Sequence, residues 1–143
     1  MIFSTTLELI KKYHKTLLLC IIIMVLSLMN PSDLNCKNIM RIKHIDKIVH
    51  FLMYASLCGC LNMENIIHNN DKSRETWKTI AIIVFPILIG ISMEIFQQYF
   101  TRSRSGNFDD AIANTIGTLC GFGISKLCVK AKFVRTVMKW PVQ

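Results

Sequence analysis

The chain has 143 residues, which is enough for a single domain. Hydrophobic residues make up 52% of it and charged residues only 18%, and the formal net charge is +8. A positive charge of this size suits either nucleic acid or an anionic membrane surface. Because Lys and Arg flank apolar blocks and no zinc-finger or RNA-binding motif is present, the sequence argues against a nucleic-acid partner and favours a membrane lipid.

The cysteines do not predict a disulfide framework. Cys36 lies in a polar connection and has no obvious extracytoplasmic partner. The others lie in or beside apolar segments, where cysteine behaves as a small hydrophobic residue; they are Cys20, Cys58, Cys60, Cys120 and Cys128. We therefore predict neither a disulfide nor a structural metal on these thiols.

Apolar blocks in chain order predict four transmembrane helices, since a bilayer core needs roughly 20 mostly apolar residues per helix. A soluble helical bundle is the alternative, because the strictly charge-free runs are shorter. The first and third blocks, however, lack a polar face at helical period in their middle parts. We predict an all-α, polytopic membrane protein in one domain, 1–143, with spans at about 13–30, 45–63, 79–100 and 109–129.

The first block could be a signal peptide, because a basic stretch precedes it. No small-x-small cleavage site follows it, and Asn35 before Cys36 does not suit a lipoprotein site, which needs a small residue there. We therefore predict an uncleaved helix that ends near Pro31, since proline breaks helices.

Cytoplasmic loops carry an excess of Lys and Arg. With four spans, both termini and the middle connection share one side, which holds Lys11, Lys12, Lys15, Lys72, Arg74, Lys78, Lys126, Lys130, Lys132, Arg135 and Lys139. The other side holds fewer: Lys37, Arg41, Lys43, Lys47, Arg102 and Arg104. This distribution predicts that the N and C termini are cytoplasmic.

In this orientation, polar residues of the second predicted helix lie near the outer membrane face. Asp46, His50 and Tyr54 follow one another at four-residue spacing and share one face of that helix. A charge deep in the bilayer costs about 2.5–3.5 kcal/mol, so such groups usually face the bundle interior and pair there.

The other two helices place further polar groups at the same depth. The third carries Glu94 and Gln97 or Gln98 near its outer end, and the fourth carries Asp110 and Asn114 near its start. We therefore predict an outward-opening polar cluster. Its acids would pair with an Arg from the 102–107 link, preferably Arg104 with Glu94 or Asp110.

Each of these residues also has a purely structural interpretation. Asp46 and Asp110 could be helix-start residues that the macrodipole favours. His50 could be a hydrogen-bonded interior residue, and Gln97 could be an interhelical tie. The number of polar groups at one depth favours a site.

Three stretches, in this order, resemble the VanZ-like family of bacterial membrane proteins. Residues 44–54 are similar to its Asp-Lys-x-x-His-Phe-x-x-Tyr segment, and residues 94–97 to its Glu-x-x-Gln helix end. Arg104-Ser105, followed by Asp110-x-x-x-Asn114-Thr-x-Gly117 and then Gly121, is similar to its Arg-Ser loop and following helix. The resemblance selects Gln97 over Gln98 and Arg104 over Arg102, but leaves Asp109 ambiguous beside Asp110. Gly117 and Gly121, four residues apart, suit close helix approach.

This resemblance implies a four-helix, multi-pass protein of the bacterial cytoplasmic membrane. The member that names the family is associated with low-level resistance to the glycopeptide teicoplanin. The site residues that the resemblance and the spacing together give are Asp46, His50, Tyr54, Glu94, Gln97, Arg104, Asp110 and Asn114.

Three functions compete. The first is binding of a lipid head group, or of another amphiphile such as a lipoglycopeptide, at the outer face. The second is an intramembrane enzyme acting on an envelope lipid, with His50, Asp46 and Glu94 as candidate catalytic residues and Arg104 stabilising a phosphate or oxyanion. The third is a small transporter or a structural membrane protein. We predict no cofactor and no metal; a metal variant of the enzyme would use Asp46, His50, Glu94 and Asp110.

Overall fold

The structure is a computed structural model that describes residues 2–29, 44–69, 76–100 and 107–139. Within these ranges the chain forms helices and no strand, which confirms the predicted all-α class. The helices are α1 (Ile2–Lys12), α2 (His14–Leu28), α3 (Ile45–Asn69), α4 (Thr76–Phe100), α5 (Phe108–Cys128) and α6 (Lys132–Lys139).

Two short helices were not predicted, and one long helix exceeds its predicted span. α1 precedes the first apolar block, and α6 lies in the basic tail. α3 continues to Asn69, past the predicted end at residue 63, because Glu64 is a buried helical residue and does not begin a polar connection. α4 begins at Thr76, slightly before the predicted span at 79.

α3 and α5 form the most extensively packed helix pair. A Cβ atom on Gly117 would lie 2.3 Å from the carbonyl oxygen of Phe51, and one on Gly121 would lie 2.1 Å from that of Ala55. Such distances are too short for any side chain, so the two glycines are what allows the backbones to touch. The close approach predicted from the four-residue glycine spacing is confirmed.

The helices bury polar groups and present apolar groups outward. The buried polar and charged residues include Thr16, Ser27, His50, Asn62, Glu64, Glu94, Gln97, Asp110, Asn114, Thr118 and Ser125. Large apolar side chains are exposed along α2, α4 and α5, among them Leu18, Leu88 and Leu119. A soluble protein rarely exposes apolar patches of this extent. The arrangement suits a bundle whose surroundings are lipid.

Among the described residues, two helices are long and apolar enough to cross a membrane: Thr76–Tyr99, of 24 residues, and Phe108–Cys128, of 21 residues. His14–Leu28 is apolar but shorter. α3 has 25 residues, and its polar interior face lowers its mean hydropathy. Length and composition therefore support two spans, and the count of four stays a prediction.

A buried carboxylate fixes the start of α2. Glu64, in α3, accepts hydrogen bonds from the backbone N–H groups of Lys15 and Thr16, both at 3.1 Å, and from the Thr16 hydroxyl at 2.7 Å. The first amides of a helix have no partner within it and carry partial positive charge, so an anion is favoured there. Glu64 thus joins α2 to α3, at the end of the bundle where α2 begins and α3 ends.

The described cysteines are free thiols. Cys20, Cys58 and Cys60 are buried, and the Cys58 thiol donates a weak hydrogen bond to the carbonyl of Ile82 at 3.7 Å. They pack as small hydrophobic residues. Cys36 lies outside the described residues.

Candidate functional site

The N-terminal ends of α3 and α5 meet the C-terminal end of α4 at what we call the site end of the bundle. Nδ1 of His50, in α3, lies 3.1 Å from Oδ1 of Asn114, in α5. Nδ2 of Asn114 donates a hydrogen bond of 3.3 Å to Oε1 of Glu94, in α4. Three predicted site residues, each on a different helix, therefore form one hydrogen-bonded cluster.

An asparagine cap holds the start of α5 against the end of α4. Oδ1 of Asn107 accepts a 3.2 Å hydrogen bond from the backbone N–H of Asp109, which is the usual bond of a helix N-cap. The backbone N–H of Asn107 itself donates to Oε2 of Glu94 at 3.2 Å. Each oxygen of the Glu94 carboxylate therefore accepts a hydrogen bond, one from the start of α5 and one from Asn114.

The site end is rich in carboxylates, and Lys47 offsets some of their charge. The Lys47 ammonium lies 2.8 Å from Oδ2 of Asp109 and 3.6 Å from Oδ1 of Asp110. The Asp109 side chain is 62% exposed and that of Asp110 only 8%. Of these two adjacent acids, which the sequence left ambiguous, Asp110 is the one that faces the interior.

The cluster selects the proton position on His50. Because Nδ2 of Asn114 donates to Glu94, Oδ1 is left as the acceptor for an Nδ1–H group of the imidazole. A neutral imidazole protonated at Nδ1 keeps its lone pair on Nε2. That nitrogen can accept a hydrogen bond, take up a proton or bind a cation. When the ring is protonated, Oε1 of Glu94, 3.7 Å from Nδ1, becomes its counter-charge.

A metal ion could be held by three of the predicted residues. One donor atom from each of Asp46, His50 and Asp110 lies within 4.8 Å of the other two. Imidazole with carboxylates is a ligand set that zinc and related divalent ions accept. Glu94, the fourth ligand of the metal variant considered from the sequence, is not in this group.

Two further predicted residues, Gln97 and Tyr54, are also buried. Gln97 is buried, and its Nε2 donates to the backbone carbonyl of Ser27 at 2.7 Å, which ties α4 to α2. Tyr54 is fully buried in an apolar cluster, and its hydroxyl has no partner among the described residues.

The predicted pairing of Arg104 with Glu94 or Asp110 lies outside the described residues. Sequence reasoning missed Lys47 and Asn107 as members of the site. Lys47 could have been found, since it lies inside the Asp-Lys-x-x-His segment. Asn107 also carries a signal, because an asparagine directly before an acidic helix start is typical of an N-cap.

A groove of about 620 Å³ runs between α4 and α5 on the outside of the bundle. Its walls are mostly apolar, and its polar members are Glu94, Gln98, Asn107 and Thr115. The lining residues are Ile91, Glu94, Ile95, Gln98, Asn107, Phe108, Ala111, Ile112, Thr115 and Ile116. Glu94 therefore belongs both to the groove wall and to the hydrogen-bonded cluster.

An all-helical bundle with a polar interior, an apolar surface and two helices long enough to cross a membrane is the architecture of a membrane protein. The profile of the VanZ/LLP1 family matches residues 3–129. The chain belongs to this family, as the ordered motifs predicted. No curated protein matches the chain. No solved structure matches it either.

Proposed function

We propose that this protein is a multi-pass protein of the bacterial cytoplasmic membrane that binds an amphiphile at the outer membrane face. In this proposal the chain crosses the membrane four times and both termini are cytoplasmic. The polar head of the ligand contacts the site end, and its acyl chain lies in the groove between α4 and α5. This topology would place the start of α3 and the end of α4 at the outer face.

The observation that carries the proposal is the position of Glu94. Its carboxylate accepts hydrogen bonds from Asn114 and Asn107 inside the bundle. The same residue lines the groove between α4 and α5, whose other walls are mostly apolar. A ligand with an apolar chain and a polar head fits such a junction, because ligand sites combine apolar walls with a few placed polar groups.

The chemistry of the site end indicates which head groups suit it. Glu94, Asp110 and Asp46 are hydrogen-bond acceptors when ionised, so they favour amines, hydroxyls and amides. Lys47 could contact a phosphate next to such a group. Phospholipids with an amine, and lipoglycopeptides with amines, sugars and an acyl chain, both fit. A contribution to glycopeptide resistance of the teicoplanin type is therefore part of the proposal.

Blocking the groove tests the proposal. Ile112→Trp places a large ring in the groove, whereas Leu119→Trp adds the same ring to an exposed position of α5 that does not line it. Native mass spectrometry of protein released from phosphatidylethanolamine nanodiscs measures retained lipid. We expect Ile112→Trp and Glu94→Gln to retain about ten-fold less lipid than the Leu119→Trp control, a change that corresponds to about 1.4 kcal/mol.

The same variants test the link to resistance. A teicoplanin-sensitive bacterium expressing the unchanged chain or Leu119→Trp should survive a higher teicoplanin concentration than one expressing Ile112→Trp. Equal lipid retention in all variants would disprove the amphiphile site. Lipid retention that responds while teicoplanin survival does not would restrict the site to lipids.

A further inference from the structure

A second groove lies at the opposite end of the bundle, where α2 and α4 begin and α3 ends. We call this the basic end. The groove is about 540 Å³ in volume and has walls from α1, α2, α3 and α4. It shares no lining residue with the groove beside Glu94. A ligand here would therefore be separate from the amphiphile proposed above.

The groove changes character along the bundle axis. Toward the middle of the bundle its lining is apolar and comprises Leu17, Cys20, Leu61, Ala81, Ile82 and Phe85. Toward the basic end, where α1 also contributes Leu9, the lining is otherwise polar or aromatic: Lys12, Tyr13, Thr16, Asn65, Asn69, Trp77 and Lys78. On α2, α3 and α4 alike, the lining changes from polar or aromatic at the basic end to apolar toward the middle. This change in polarity is therefore a property of the groove as a whole.

The surroundings of the mouth are strongly positive. The described cations at the basic end are Lys11, Lys12, Lys15, Lys78, Lys126, Lys130, Lys132, Arg135 and Lys139. Among the described acids of this end, Glu8 pairs with Lys11 at 3.8 Å and Glu64 is buried against the start of α2. Glu8 is thus paired with a lysine and Glu64 is buried, so positive charge dominates among the described residues of this end and favours an anion.

The aromatic residues mark the level of the lipid head groups. Trp77 is 65% exposed at the first turn of α4, and Tyr13 lies at the break between α1 and α2. Trp and Tyr collect at the membrane interface because they have an apolar body and a polar edge. α6 agrees with this level, because its Phe133 and Val137 are exposed beside Lys132 and Arg135, as in a helix that lies on a membrane surface.

We propose that this groove binds one anionic phospholipid. Its acyl chain lies along the apolar wall, and its phosphate lies between the ammonium groups of Lys12 and Lys78, which reach the mouth from α1 and α4. Lys12 donates to the side-chain oxygen of Asn69, and an ammonium has three donors, so a phosphate can share it. Charge-assisted bonds of this kind favour an anionic over a zwitterionic lipid.

Tryptophan fluorescence gives a direct test, because the chain has only two tryptophans and Trp77 lines the groove. Trp140→Phe leaves Trp77 as the only tryptophan, which is excited selectively at wavelengths that tyrosine does not absorb. The full chain with this change is reconstituted in phosphatidylcholine vesicles that contain brominated phosphatidylglycerol or brominated phosphatidylcholine at equal mole fraction. We expect the brominated anionic lipid to occupy the quenching site with about five-fold higher relative affinity.

Two matched double variants separate a site from general attraction to a charged surface. Lys12→Gln with Lys78→Gln should abolish the preference for the anionic lipid. Lys130→Gln with Lys132→Gln removes the same charge at the basic end, outside the groove lining, and should keep the preference. Circular dichroism checks the helix content of each variant.

Equal quenching by the two brominated lipids in the Trp140→Phe protein would overturn the proposal without any lysine variant. The proposal also fails if both double variants lose the preference to the same degree, since the attraction would then belong to the surface. Because the groove beside Glu94 is untouched in these proteins, neither result bears on the amphiphile site.

Discussion

The Asn114 side chain uses both ends of its amide, and this explains why an asparagine stands there. Its oxygen faces His50 Nδ1 and its nitrogen donates to Glu94, so it bridges groups on two other helices. An aspartate could not donate to Glu94 when ionised, and a leucine could do neither. The pair His50–Glu94 thereby has a neutral linker, which holds both partners whether or not the imidazole is charged.

Removing that linker should be costly. Asn114→Ala leaves a buried imidazole and a buried carboxylate each without one partner, and we expect a loss of about 1–2 kcal/mol in the free energy of unfolding. The neighbouring Thr115→Ala is the control, because the Thr115 hydroxyl bonds only the backbone carbonyl of Ala111 one turn before it. Unfolding of the detergent-solubilised protein by added dodecyl sulfate measures the difference. Equal stability of the two variants would mean that the cluster contributes nothing.

For individual residues, the sequence predicts which side chains form the His50 cluster better than it predicts which groups each buried side chain bonds. Spacing places His50, Glu94 and Asn114 at one depth, and they do meet. Glu64 was missed because it follows an apolar run and resembles the start of a loop. Its role depends on the unpaired amides of α2, a helix far away in the chain, and no local pattern carries that information.

The pairing of α3 with α5 is the main structural feature at the level of helices. Gly117 and Gly121 put the two backbones in direct contact. Asn114 and Asp110 lie on the same stripe of α5, one turn and two turns nearer the site end. The glycines therefore also set how far the cluster residues stand from one another. A change in the spacing of these helices would therefore change the distance between His50 and Asn114.

Gly121→Ala should force the pair apart. The added Cβ would meet the Ala55 carbonyl oxygen at 2.1 Å, a backbone atom that cannot move without its helix. We expect a loss of about 3 kcal/mol or more, at the upper end of what overpacking costs. Gly123→Ala is the matched control, because its Cβ would meet nothing within 4 Å. Alanine should stabilise the helix there by about 0.5–1 kcal/mol, and the same unfolding assay measures both variants.

The positions of the two glycines on α5 could have shown, from the sequence alone, which of Asp109 and Asp110 faces the interior. Asp110, Asn114, Gly117 and Gly121 follow one another at three- and four-residue steps and form one stripe, which excludes Asp109. In contrast, the break between α1 and α2 at Tyr13 had no sequence signal such as proline or glycine. The break depends on Glu64, a residue distant in the chain, whose carboxylate accepts hydrogen bonds from the first backbone N–H groups of α2.

The whole molecule separates its charges along its axis. Carboxylates collect around His50 at one end, and lysines collect at the other, where α1 and α6 also lie. This polarity agrees with the proposed topology, in which the basic end faces the cytoplasm. The two grooves then open toward opposite leaflets, so any lipid that each one holds would come from a different side of the membrane.

Cys36 offers a test of that topology without an added label site, since it lies in the predicted outer connection between the first two spans. A membrane-impermeant maleimide applied to intact cells should label the unchanged chain more than Cys36→Ser, because the described cysteines are in helices. Labelling of Cys36 that appears only after the cells are permeabilised would reverse the proposed orientation. Mass spectrometry of the peptide that carries Cys36 gives the readout.

The contact of α3 with α5 also matters during synthesis of the chain, because the two helices are made at different times. The two helices are separated in the chain by α4 and two connections, and ribosomes add about 5–20 residues per second, so α3 is finished several seconds before its partner. During that interval His50 and Asn62 have neither Asn114 nor Ser125 to bond. In the proposed topology, one face of α3 therefore enters the membrane with polar groups that gain their partners only when α5 arrives.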